Sequence, residues 1–139
     1  MTLIVACFEY LQNIVFPMPE ELSAMYESLS LVSVSNWMDV LILFLLKIFW
    51  VAPCEEIFAR GFVQRGFENS LKGKVILPIF ISCFLFGAYH GDPWRILPLA
   101  IGFVPIGYLY YRTDHNISAS IIAHDFGNFF VVLAHFFGL

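Results

Sequence analysis

The chain has 139 residues, of which 60% are apolar and only 13% charged, with 16 phenylalanines and a formal net charge of −4. An average soluble domain is about 45–50% apolar and about 25% charged, so this chain has too few polar side chains to coat a globule of its size, and a large soluble catalytic domain is excluded. Its 7 Lys and Arg are scattered and form no basic stripe, which argues against nucleic acid as a partner.

A membrane protein is the remaining class, and at about 20 residues per span of hydrocarbon the length allows four or five helices. Residues 1–19 carry one charge, Glu9, and end in two prolines; they read as a span, a re-entrant piece or the tail of a helix. No basic segment precedes them and no small-residue cleavage site follows, so a secretory signal is not expected. Residues 20–36 are Ser-rich with three acidic residues and no Lys or Arg, which makes them the long surface connection. The first unit is thus residues 1–36, an apolar segment and its polar connection, and the second is residues 37–139.

From Trp37 the pattern predicts one long helix to about residue 68, with a kink at Pro53. After a turn at residues 69–74 come two uncharged spans, 75–91 and 96–111, separated by GDPW and rich in the Gly and Pro that membrane helices tolerate. RTDHN is the next turn, and 117–139 is the last span, with Asp125 its only formal charge. The fold class expected is all-α: a polytopic transmembrane bundle with a four-helix core. Lys72, Lys74, Arg65 and Arg112 fall on one side of this layout, which places the 65–74 turn in the cytoplasm. Trp37, Trp94, Tyr108, Tyr110 and Tyr111 fit an interfacial aromatic belt. Cys7, Cys54 and Cys83 lie in apolar stretches without metal or redox spacing and read as small core residues.

An ionised side chain at the bilayer centre costs about 2.5–3.5 kcal/mol even on a lenient scale, so polar residues inside these spans need partners or a wet cavity. They fall in three places: Glu55, Glu56 and Arg60; His90; and His124, Asp125 and Asn128. Glu56 and Arg60 are four apart in the order that favours an ion pair, while Glu55 points about 100° away and is left for chemistry. Phe86 and His90 share a helix face, as do Ser120, His124 and Asn128. Each cluster also has a plainer explanation: a snorkelling helix end, an interfacial histidine, or hydrogen-bonding glue between helices.

Depth connects the first two. Glu55 precedes Lys72 by 17 residues and His90 follows it by 18, so in an antiparallel hairpin they reach similar height. His124 fits worse, by about 12 Å for straight, upright helices, and tilt, or breaks at Pro98, Gly102, Pro105 and Gly107, would have to absorb this. His115 is expected at the headgroups, His135 in packing, and Tyr89 outside the site. No HExxH, GxSxG, phosphate loop or CxxC is present.

In this order, EExxxRG (Glu55 to Gly61), FxxxH (Phe86 to His90) and HxxxN (His124 to Asn128) resemble the CPBP family. That family includes the type II CAAX prenyl endopeptidases and the Abi-type bacteriocin-processing and immunity membrane proteins. The resemblance runs from about Trp37 to Phe130. It implies an intramembrane endopeptidase acting on a membrane-embedded or lipid-anchored peptide. Glu55 would then be the general base on water with His90 beside it, Glu56 and Arg60 would give structural support along with Phe86, and His124 with Asn128 would stabilise the oxyanion.

A glutamate base, oxyanion donors and excluded bulk water suffice for amide hydrolysis without a nucleophilic Ser or Cys. Glu55, His90 and His124 are also the ligand types of a catalytic zinc site. A metal-free site is preferred, because no carboxylate is evident as a partner for each histidine, although Asp125 keeps zinc open. The rival class is a non-catalytic membrane protein, either a proton-coupled transport subunit or an immunity protein that binds its partner. Membrane lipid and a peptide or protein substrate are the expected partners. Nothing in the sequence sets substrate identity or oligomeric state.

Overall fold

In the structure, a computed structural model, residues 2–21, 23–24 and 36–137 are described, apart from the side chains at 2–6, 8, 9 and 135. Most of the polar connection and the side chain of His135 therefore lie outside the described residues. Among those described, all regular structure is helical. Helix α1 is Thr2–Val15, α2 is Trp37–Ser70, α3 is Ile76–Tyr89, α4 is Ile96–Arg112 and α5 is Ile117–Phe137.

The long second helix starts where the sequence provides a cap. Asn36 Oδ1 accepts from the backbone N–H groups of Met38 and Asp39, and Asp39 Oδ2 accepts from the N–H of Asn36, a reciprocal capping box. The helix runs through Pro53 without a break. Proline removes one N–H from the ladder, and the helix accommodates it with a wide π-type segment just before, Lys47–Val51, in which the N–H of Ala52 reaches back to Lys47. A second wide segment, Ile57–Gln64, follows the acidic pair. Such insertions into α-helices recur at functional sites, and here one lies on each side of Glu55 and Glu56.

Among the described residues, two helices are long and apolar enough to cross a membrane: Trp37–Ser70 and, within α5, Ile117–Ala134. The expected spans at 75–91 and 96–111 are shorter helices of 14 and 17 residues, about 21 and 26 Å long. Helix α1, with 14 residues, packs on α4 and α5. It is tied to the loop after α3: Gln12 Nε2 donates to the Trp94 carbonyl at 2.7 Å, and Trp94 Nε1 to the Phe16 carbonyl at 3.3 Å.

Helices α3 and α4 form the most extensive pair, with the 57–64 part of α2 across α3 and with α5 against both α2 and α4. The core they share is Ala59, Ile79, Cys83, Phe86, Ala100, Phe103 and Ile106. Small residues permit this closeness, as in membrane helix pairs. A Cβ at Gly87 would lie 2.5 Å from the backbone oxygen of Ile96, and backbone cannot swing aside. Gly87→Ala is accordingly expected to cost about 1–3 kcal/mol, read as a lower denaturant midpoint in detergent; an unchanged midpoint would show that the α3–α4 pair is not this rigid.

Two smaller expectations are corrected. Cys7 and Cys54 are exposed, and only Cys83 belongs to the core. Tyr110 is buried at 4% exposure rather than interfacial, because its ring packs on His115 at 5.1 Å.

Candidate active site

Three helices bring the polar residues together. On α2 the Arg60 guanidinium and the Glu56 carboxylate are fully buried and paired at 3.2 Å. Arg60 also donates to Ser82 Oγ at 3.1 Å on α3 and to the Phe103 carbonyl at 3.3 Å on α4. Its Nη1 lies 3.4 Å from Cys83 Sγ and 3.5 Å from Gln64 Oε1. Ser82 in turn donates to the Ile79 carbonyl. A buried charge unpaired in this setting would be costly, and these contacts satisfy nearly all of the fork's donors.

Glu56 has a second partner, His124 on α5, whose Nδ1 lies 2.9 Å from Glu56 Oε1. An ionised carboxylate only accepts, so Nδ1 carries the proton and Nε2 is turned toward Glu55 Oε2, 3.5 Å away. His90 is set in the same way. Its Nδ1 donates to the Phe86 carbonyl at 2.9 Å, and its Nε2 lies 3.9 Å from Glu55 Oε1. Position is fixed locally: His90 caps α3, and Gly91, at φ +70, ends the helix there in a conformation that favours glycine. Phe86 supports both imidazoles, its ring centroid 4.7 Å from that of His90 and 6.2 Å from that of His124, and it packs on Phe103 at 4.3 Å.

Exposure grades across the site. Side chains of Glu56 and Arg60 are 0% exposed and that of His124 3%, whereas Glu55 is 21% and His90 33% exposed. Glu55 and His90 are thus the exposed members of the cluster, and the gap of 3.9 Å between them suits a bridging water better than a direct bond. One helical turn beyond His124, Asn128 is 8% exposed and its Nδ2 has no partner. A buried amide donor left unpaired is unusual in a native fold.

The misfit of His124 anticipated from straight helices does not arise, and no break in α4 absorbs it. Helix α4 is continuous from Ile96 to Arg112. The turn after it docks not at Lys72 but at Arg65 and Glu68, with His115 Nε2 2.7 Å from Glu68 Oε2, so α5 starts about one turn, roughly 6 Å, further along α2. The wide 57–64 segment of α2 lies between Glu55 and this docking point.

The sequence reading missed Gln64, Glu68 and Ser82. The first two were detectable: Glu56, Arg60, Gln64 and Glu68 recur every four residues on α2, and they line up as one polar row through the buried interface, Gln64 Nε2 donating to Glu68 Oε1 at 3.0 Å and to the Gly107 carbonyl at 3.1 Å. Ser82 carried no such signal. The carboxylate that holds His124 is Glu56, not Asp125, whose Oδ1 is buried without a partner. Both histidines thus have an acceptor on Nδ1, and the sequence argument against zinc loses its ground. The distances themselves are loose for an ion, and among the described residues no group of three His, Cys, Asp or Glu side chains is arranged to hold one.

Residues 36–130 match the profile of the type II CAAX prenyl endopeptidase, Rce1-like family. The chain belongs to this family. The matched stretch takes in all three motifs and all four helices that build the site. Among curated proteins the chain is 31% identical over 97 residues to an uncharacterised protein of Mycoplasma capricolum subsp. capricolum, covering 67% of this chain. The match spans 27% of that relative's own length. No solved structure matches the chain. Rce1-like proteins are a membrane-embedded family, in keeping with the two long apolar helices here.

Proposed function

We propose that this chain is an intramembrane endopeptidase in which Glu55, assisted by His90, activates a water to attack a peptide bond of a membrane-embedded or lipid-anchored protein. The observation that carries the reading is the placement of one partly exposed carboxylate between two imidazole Nε2 atoms, at 3.9 and 3.5 Å, beside a buried ion pair that already satisfies the neighbouring acid. Glu55 takes a proton from water as oxygen bonds to the scissile carbonyl carbon. It returns that proton to the departing amine as the C–N bond breaks, so water is added across the bond and the carboxylate is regenerated.

The oxyanion of the tetrahedral intermediate is assigned to Asn128, whose buried amide nitrogen has no other partner. His124 contributes from Nε2 only while its ring holds both protons, since Glu56 keeps the one on Nδ1. Four helices, α2 to α5, supply the site, with lipid around them and the substrate arriving on the His90 side.

No metal is required by this scheme. The test is cleavage by the purified chain in liposomes of a panel of anchored peptides: prenylated CAAX tails, leader peptides and C-terminal sorting tags. Turnover is expected to persist after dialysis against a chelator, with plasma emission finding well under one metal per chain. Loss on chelation with recovery on adding zinc would replace the glutamate scheme by a metallopeptidase. Proton flux without turnover would make the chain a transport subunit.

A further inference from the structure

Where α4 turns into α5, two consecutive residues other than glycine, Asp114 and His115, adopt left-handed backbone conformations, with φ of 52° and 63°. Such conformations persist only where the surroundings over-determine them. Here the determinants converge on His115. Its N–H donates to the Tyr110 carbonyl at 2.9 Å. Its ring packs against those of Tyr110 and Tyr111. Its Nε2 lies 2.7 Å from Glu68 Oε2 on α2.

A carboxylate can only accept, so that nitrogen carries the proton. Arg65 Nη1 lies 2.7 Å from Nε2 and 3.1 Å from Nδ1 of the same ring and donates to Glu68 Oε2 at 3.3 Å. Glu68 is held from the other side by Gln64, whose Oε1 is the neighbour of Arg60.

Only nine positions separate His115 from His124, and both are fastened to the same face of α2, one at Glu68 and one at Glu56. We infer that the Glu68–His115 contact is a register clamp: it sets the height of α5 on α2 and so positions His124 against Glu56 and Glu55. Neither clamp residue touches the reacting atoms; both are positioning residues. Releasing the clamp lets the turn relax from its left-handed conformation and lets α5 slide. A shift of about 1 Å at a catalytic group can lower a rate by 10²-fold.

The clamp rests on the proposed function only for its kinetic consequence, since the position of His124 can be read without a substrate. With the chain labelled with ¹⁵N-histidine in micelles, the His124 Nδ1–H resonance, assigned by its loss in His124→Gln, reports the bond to Glu56. Glu68→Ala is expected to broaden or shift that resonance and to lower kcat at least tenfold with KM within twofold, while helix content by circular dichroism is retained. Glu68→Gln, which keeps an acceptor oxygen for His115, is expected to restore both. His115→Ala, which leaves Glu68 its contacts with Gln64 and Arg65, should reproduce the Glu68→Ala result from the turn side.

An unmoved His124 resonance in both alanine variants would overturn the clamp whatever the activity. Failure of Glu68→Gln to restore the resonance would overturn it as well. A moved resonance in a chain that cleaves nothing would leave the clamp standing and remove the peptidase reading.

Discussion

Glu55→Gln is expected to abolish cleavage, lowering kcat by at least about 10³-fold, near the upper part of the range for loss of a general base. The amide occupies the same volume but neither takes nor returns a proton. Because Glu55 is 21% exposed and makes no contact with Arg60, the loss should be confined to chemistry: expression, liposome insertion and helix content should match the parent chain. Asn128→Ala is the informative comparison, since removal of one oxyanion donor costs about 10²–10³-fold in kcat and leaves residual turnover. A Glu55→Gln variant with full activity would end the general-base assignment, and equal residual activity in the two variants would mean that Glu55 contributes electrostatics alone.

Arg60→Met should be the most damaging single change to the fold. It leaves the Glu56 carboxyl at 0% exposure with His124 as its remaining partner, and it removes the side-chain donor that reaches Ser82 Oγ and the Phe103 carbonyl. Breaking a buried pair in this way costs about 3–5 kcal/mol, measurable by denaturant titration in micelles. Adding Glu56→Gln should recover much of the loss. The unpaired charge is then gone, and the amide oxygen still accepts from His124. Recovery distinguishes the cost of a stranded carboxylate from the cost of the space that arginine filled, and a double variant no more stable than Arg60→Met alone would assign the loss to packing.

The polar network also explains why a chain so poor in charge spends several charged residues in its interior. Glu56 orients His124 by accepting from its Nδ1, Arg60 pairs with the other oxygen of that buried carboxylate, and the guanidinium finds its remaining acceptors on α3 and α4. One requirement at the site thus fixes residues on four helices. Gly107 belongs to the same arrangement: a Cβ there would meet Ile79 at 2.9 Å, Gln64 at 3.1 Å and Arg60 at 3.2 Å.

Composition and spacing determined the helical class, the order and rough ends of the helices from Trp37 onward, and the separation of Glu56, committed to Arg60, from Glu55, while the resemblance of the three ordered motifs pointed to the family. These are local properties: apolar runs, turn residues, and side chains one turn apart on a helix. The sequence left undecided how far along α2 the α4–α5 turn would dock, and therefore whether His124 could reach the acids. That depended on the Glu68–His115 contact across 47 residues. Equally invisible was the identity of the carboxylate behind His124, because helix register and pairing are decided by contacts between segments distant in the chain, which no spacing within one segment encodes.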